Sequence, residues 1–299
     1  MLHTLVRSMR VPFLVLAPVS VFLGYATSLV SALRIQYLDL FLVLLGALLA
    51  HVSVNLFNEY HDFRRGLDVD ANSKTKRTQF SVNSGALLEN PDAAEAVHYG
   101  AIASLFVTTL IGTYFIVSQG LLIAPLGVIG VLIILSYAPR LIQHPVLCLV
   151  APGVGFGPLI VIGTHVVLTG EYSVQAAIAS LIPFFLVNNL LLLNQYPDIA
   201  ADRRIGRQHF PIVYGERKGI MLYGNTIMAT CGIIVLGIVS GIFPELSIVC
   251  LFPVGFAVMI FFGIARHGIS LFRLLPYLGM NVGVTLVTTV FLGMSIIYG

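Results

Sequence analysis

Charge is what this sequence has least of. Only 10% of its 299 residues are Asp, Glu, Lys or Arg, 58% are hydrophobic, and the mean hydropathy is +0.96. A soluble domain carries about 25% charged residues, so that class is excluded and the chain reads as an integral membrane protein. Cysteine is scarce as well. Cys148, Cys231 and Cys250 lie in or beside apolar spans without metal-ligand spacing, which reads as packing and argues against a structural disulfide. A basic module interleaved with aromatics is also missing, so nucleic acid is not an expected partner. The formal charge of +3 follows from a topological bias, with room for anionic membrane lipid or a phosphorylated substrate.

What the sequence has instead is long apolar runs. A helix crossing a bilayer needs about 20 such residues, and runs of that kind fall near 11–30, 38–57, 96–118, 120–138, 146–168, 174–194, 219–240, 246–265 and 276–298. The expected fold is therefore all-α and membrane-embedded, a single domain over 1–299 with nine transmembrane helices. The basic residues support this count. With the N-terminus in the cytoplasm, Arg7, Arg10 and the loops after spans 2, 4, 6 and 8 hold every Lys and Arg except Arg34, and one missed helix would scramble that pattern. The first span, which follows Arg7 and Arg10, has the look of a signal peptide, but removing it would spoil the alternation. It is expected to stay as helix 1.

Two polar segments interrupt this pattern, roughly 58–95 and 195–218, each starting at the end of an expected span. In the first, Asn55, Asn58 or Glu59, and Asp62 share one helical face. In the second, Asn194, Asp198 and Asp202 are spaced four apart and do the same, with Pro197 expected to loosen the helix without necessarily ending it. Carboxylates beside a membrane are costly, and two matched clusters on one side suggest a Mg2+-held anionic substrate. Magnesium takes oxygen ligands and is usually held by one or two carboxylates together with phosphate oxygens. A diphosphate bridged in this way becomes a better leaving group. Lys74, Lys76, Arg77 and Arg207 follow the acids and are candidates for the same phosphates. The alternative for either cluster alone is an ordinary charged helix end.

At these residues the chain resembles the UbiA superfamily of intramembrane aromatic prenyltransferases. Asn58 to Asp68 reads NEYHDFRRGLD, close to the family's first motif in the longer form of the dihydroxynaphthoate branch of menaquinone synthesis, and Asn194 to Gly206 reads NQYPDIAADRRIG, close to the second. Arg77 to Phe80 with Ser84 to Leu87, and Gly155 to Ile160 with Gly163-Thr164, agree as well. The resemblance implies a central cavity capped on the cytoplasmic side. It implies that Asn58, Glu59, Asp62, Asp68, Asn194, Asp198 and Asp202 hold Mg2+ and an isoprenyl diphosphate, and that an allylic cation is attacked by an aromatic acceptor, a naphthoate or related quinone precursor. The host implied is a bacterial or archaeal cell membrane. Glu59 stands where Asp is usual, position 66 is Gly66, His209 replaces a small hydroxyl residue, and Leu141 to Leu147 lacks the Glu of the naphthoate branch. These departures bear on the acceptor more than on the diphosphate, and leave 4-hydroxybenzoate or another lipid precursor as alternatives.

Tyr137 and Arg140, at the end of span 4, are candidates to orient the acceptor or a phosphate, beside the simpler role of interfacial anchors. His51, His61 and His165 are not spaced as a metal site; His61 beside Asp62 is the one that merits a test. Asn188 and Asn189 fit interhelical hydrogen bonding at least as well as cavity lining. Two other function classes compete with the enzyme. A transporter would place its acids nearer mid-membrane than these helix-end clusters, and a noncatalytic lipid-binding protein is favoured only by the departures. No GxxxG-type face stands out as an oligomer interface.

Overall fold

The computed structural model describes residues 1–31, 35–65, 84–204, 206–267 and 271–299. Among them the secondary structure is entirely helical. The helices are α1 (Leu2–Ser8), α2 (Leu16–Ser31), α3 (Tyr37–Arg64), α4 (Ala86–Glu89), α5 (Ala94–Gln119), α6 (Ala124–Tyr137), α7 (Pro145–Val154), α8 (Gly163–Thr169), α9 (Val174–Asn194), α10 (Ile199–Arg204), α11 (Phe210–Tyr214), α12 (Glu216–Val239), α13 (Leu251–His267) and α14 (Leu271–Tyr298), with a π-helical stretch, Gly155–Ile162, joining α7 to α8. Helices solve the membrane problem because every backbone polar group is satisfied within its own segment.

Seven helical segments among the described residues are long and apolar enough to cross a membrane, and the protein is a multi-pass integral membrane protein. They correspond to seven of the nine expected spans. The other two differ in form. Span 1 is a pair of helical stretches, Leu2–Phe13 and Leu16–Ser31, bent by 43°, and span 4 is a shorter apolar helix, Leu121–Tyr137. The bend falls at Leu14 and Val15, between the short 3-10 turn Val11–Phe13 that follows a left-handed Arg10 and the start of α2.

Helix α9 is the centre of the bundle. It packs against α7, α12, α14, α2 and the π-helical stretch, and 67% of its most apolar window is buried, against 11% for Pro91–Gln119. The latter helix, which pairs with α3, therefore turns its remaining apolar surface outward, as Phe106, Leu110 and Val117 do. Close approach of α7 and the π-helical stretch to α9 depends on two glycines, one on each. A Cβ at Gly153 would lie 2.2 Å from Asn188 Oδ1 and 2.5 Å from the Phe184 carbonyl oxygen, and one at Gly157 would lie 2.5 Å from the Ser180 carbonyl oxygen. Gly153 N–H donates to Asn188 Oδ1 at 2.9 Å, so this small-residue pair serves a contact within the chain. Asn188 and Asn189 act as interhelical hydrogen-bonding groups, the latter reaching Tyr223 and Thr226 on α12.

A second set of ties gathers the chain around the end of α3. Glu59 accepts hydrogen bonds from Ser84 N–H at 3.0 Å, Ser84 Oγ at 2.8 Å and Ala86 N–H at 3.1 Å. Arg7 of α1 pairs with Glu89 and donates to the Ser84 carbonyl at 3.2 Å, while Asn90 Nδ2 donates to Thr4 Oγ1 at 3.1 Å. The result is a collar of α1 and α4 around the first polar motif.

Candidate functional site

The two polar motifs meet on one guanidinium. Arg207, between α10 and α11, contacts Asp62 of α3 through Nη2 and Asp202 of α10 through Nη1, the latter at 3.0 Å. Its backbone N–H also donates to the Asp202 carbonyl at 3.0 Å, so the turn that presents Arg207 is itself held by Asp202. His209 Nδ1 lies 2.8 Å from the other Asp202 oxygen. All four side chains are buried. Burial alone would lower the Arg207 pKa, but Asp62 and Asp202 outweigh it and hold the value raised. Burial likewise opposes the charge on His209, and Asp202 beside it pushes the pKa up to about 9. Two carboxylates are thus balanced by two cations, which is how buried charge is tolerated at all.

Helix α9 ends at Asn194, and α10 starts at Ile199. The expectation that Asn194, Asp198 and Asp202 share one helical face is corrected here. Pro197 has no N–H to donate, and a residue preceding proline is pushed out of the α region. The break is bridged by turn bonds, Tyr196 N–H to the Leu193 carbonyl and Asp202 N–H to the Asp198 carbonyl. Asn194 therefore faces into the bundle from the end of α9, whereas Asp198, which is half-buried, lies in the turn after it and Asp202 sits on the short α10. Glu59 points into the collar and anchors it.

Beside this cluster lies a cavity of about 220 Å³. Asn58, Asn55, Asn194, Tyr137 and Arg10 bring polar groups to it, and Phe13, Phe156, Leu159, Ile160 and Val187 are among its apolar walls. Four features of it were not found by reading the sequence: Arg10, Phe13, His51 and Phe156. Arg10 has φ 56°, the only positive φ of a non-glycine among the described residues. That conformation costs free energy of order 1 kcal/mol, and it directs the guanidinium over the Phe13 ring at 4.6 Å. Neighbouring Met9 is fixed by its carbonyl accepting from Asn55 Nδ2 at 3.0 Å. His51 was legible in principle, four residues before Asn55 and seven before Asn58 on the same face of α3. Cys148 is more than packing: its Sγ lies 3.7 Å from Tyr137 Oη and 3.9 Å from Gln195 Nε2.

Other expected residues are placed differently. Arg140 is exposed on the turn after α6 and does not line the cavity. His61 is half-buried against the rings of Phe57 and Tyr60, away from the cavity. Asp68, Lys74, Lys76 and Arg77 lie outside the described residues. Among the described residues no three His, Cys, Asp or Glu side chains already form a metal-binding group. The donor set nevertheless suits Mg2+: Asn58 Oδ1 is buried without a hydrogen-bond partner among the described residues, and the amide and carboxylate oxygens of Asn58, Asp62, Asn194, Asp198 and Asp202 are the hard ligands that ion takes.

Residues 15–275 match the UbiA prenyltransferase family. The chain belongs to the UbiA prenyltransferase family. Among curated relatives, this UbiA-family chain is 27% identical over 209 residues to the 1,4-dihydroxy-2-naphthoate octaprenyltransferase of Bacillus subtilis strain 168. That match covers 69% of the chain and 64% of the relative, just under two thirds of the relative's length. Solved structures share the fold. One concerned with digeranylgeranylglyceryl phosphate synthase superposes with a TM-score of 0.69 at 15% identity, covering 99% of this chain and 98% of the other. A UbiA homologue from Archaeoglobus fulgidus bound to DMAPP and Mg2+ gives 0.64 at 17% identity, covering 98% and 99%.

Proposed function

We propose that this protein transfers a prenyl group from an isoprenyl diphosphate to an aromatic acceptor, a naphthoate or related quinone precursor, with Mg2+ as cofactor. The reading rests above all on the meeting of Asp62 and Asp202 at Arg207 beside an apolar cavity. Family membership supports it, as do the naphthoate activity named for the Bacillus relative and the DMAPP and Mg2+ in the Archaeoglobus structure. Bound Mg2+ would neutralise the charge that grows on the departing diphosphate, and Asn58, Asp62, Asn194, Asp198 and Asp202 would hold it, with Asp68 as a further ligand and Glu59 in support.

The chain's own residues supply the remainder. Arg207, already centred between the two motifs, can turn a guanidinium fork to diphosphate oxygens, and Arg10 offers a second from the other side, with Lys74, Lys76, Arg77 and Arg140 as further candidates. The prenyl carbon–oxygen bond breaks, the electron pair leaves with the diphosphate, and the allylic cation is attacked by a ring carbon of the acceptor. That carbon then gives its proton to the released diphosphate, which restores the aromatic ring and leaves the new carbon–carbon bond. Phe13, Phe156, Leu159, Ile160 and Val187 exclude the water that would otherwise quench the cation. Tyr137, which lines the cavity close to Cys148, would orient the acceptor. In this reading the whole chain is one membrane-embedded domain of nine crossings, with its N-terminus and the site in the cytoplasm of a bacterial or archaeal cell.

The test is purified protein offered several prenyl diphosphates and a panel of aromatic acids, with released diphosphate and product mass as readouts. Mg2+-dependent release with a prenylated product is expected. Release that ignores a chelator, or none with any donor, overturns the proposal.

A further inference from the structure

The inner part of the cavity holds one polar side chain that neither the diphosphate chemistry nor the fold uses. His51 is 8% exposed, lines the cavity, and its Nδ1 has no hydrogen-bond partner among the described residues. Its ring meets the Phe156 ring edge-on, centroids 4.8 Å apart and planes at 76°. Phe156 is presented by the π-helical stretch Gly155–Ile162, a distortion of the kind that often re-aims side chains at functional sites. The other polar residues lining the cavity belong to the end where α3, α6 and α9 finish: Asn58, Tyr137 and Asn194, with Arg10 next to the Met9 that Asn55 holds. At 1.5 Å per residue, His51 lies about 10 Å below Asn58 along α3.

Nδ1 is itself closed off from the cavity, so in this cavity-lining side chain it is Nε2 that a ligand hydroxyl would meet. An imidazole can donate through one nitrogen and accept through the other. The edge-on His51–Phe156 pair leaves flat ring surface for an aromatic molecule. Charge on that molecule would stay near Arg10, because the walls at the depth of His51, such as Ala47, Leu159 and Ile160, offer none. The separation of about 10 Å between the level of Asn58 and that of His51 suits a two-ring compound whose reacting edge faces the donor and whose hydroxyl points inward.

We infer that His51 is the residue that recognises a hydroxyl of the aromatic acceptor, with Phe156 packing against the acceptor ring. This rests on the prenyltransferase reading of the same cavity.

The test measures acceptor binding directly, using the intrinsic fluorescence of 1,4-dihydroxy-2-naphthoate and of its two monohydroxy analogues, in wild type, His51→Leu, His51→Phe and His51→Gln. In wild type one of the two hydroxyls should matter, its removal weakening binding about tenfold, the equivalent of one buried hydrogen bond. His51→Leu and His51→Phe should weaken the dihydroxy compound by the same factor and cease to distinguish it from that analogue, while His51→Gln keeps most of the discrimination. The KM for prenyl diphosphate should move less than about twofold throughout, which also reports that each variant is folded. Equal losses for all three compounds in the variants, unchanged binding, or a shift in the donor KM instead would overturn the assignment. If wild type transfers a prenyl group yet His51→Phe binds the acceptor normally, His51 alone is misassigned; if wild type releases no diphosphate from any donor, the underlying reading fails.

Discussion

Replacing Arg207 by methionine should reveal how the two polar motifs are held together. Arg207, Asp62 and Asp202 are 6%, 2% and 5% exposed at their side chains, too little for water to stand in for a lost partner. Removing one member of a buried ion pair typically costs about 3–5 kcal/mol, because the remaining charge stays buried without compensation. Here one deletion removes a buried cationic partner from Asp62 and Asp202 at once, so a loss within that range is expected. Buried Cys148 and Cys250 make a convenient reporter, since a thiol-reactive dye labels them only on unfolding. Arg207→Met should label at markedly lower temperature than wild type in the same detergent. Mg2+ should recover part of the loss by supplying positive charge to the same acids, and should do little for wild type without diphosphate. Combining Arg207→Met with Asp62→Asn removes one stranded charge, so the double variant should be less destabilised than the two single losses added together, by about 1–3 kcal/mol. A variant that unfolds at the wild-type temperature, or strictly additive losses with no response to Mg2+, would refute the claim that Arg207 joins the motifs.

Asp62→Ala and Asp198→Ala should each lower diphosphate release by at least about a hundredfold, more than 2.7 kcal/mol of transition-state stabilisation, while the protein still elutes as a single folded species; near-normal turnover in both would sink the two-motif reading. Glu59→Ala removes the acceptor for three hydrogen bonds from Ser84 and Ala86 and should cost about 1–3 kcal/mol, measured in the same dye assay. Gly153→Ala drives a methyl against Asn188 and the Phe184 carbonyl and should destabilise by about 1–3 kcal/mol. Shortening the neighbour in Gly153→Ala/Asn188→Ala should relieve only part of this, because the Phe184 backbone cannot give way.

Much of this was legible in the sequence where the relevant interactions are local. The i, i+4 spacing of Asn58 and Asp62 survives because α3 runs unbroken to Arg64, and the apolar runs match helices because backbone satisfaction in a membrane leaves no other choice. The spacing of Asn194, Asp198 and Asp202 was read on the same rule and failed at Pro197, where a local breaker outweighs periodicity. Arg207 was read as a phosphate ligand, but its clamp on Asp62 is a contact between distant segments that no spacing encodes. Glu59 was read as a ligand for the same reason that Asp62 was, and its engagement with Ser84 depends on where the returning chain docks. His51 is passed over by spacing, since a lone histidine at a helix end is usually structural; only the fold shows it lining the cavity, with no hydrogen-bond partner for Nδ1 among the described residues.

The collar of Thr4, Arg7, Ser84, Glu89 and Asn90 has a practical consequence for handling this protein. Because α1 is tied to the segment that Glu59 grips, a fusion partner or affinity tag ahead of Leu2 pulls on the same fasteners that seat the first polar motif. The last turn of α14 carries no such ties to the motif, and Tyr298 is 73% exposed. Purification handles and reporter fusions therefore belong after Gly299, where a preparation can be compared with the untagged chain without disturbing the mouth of the cavity.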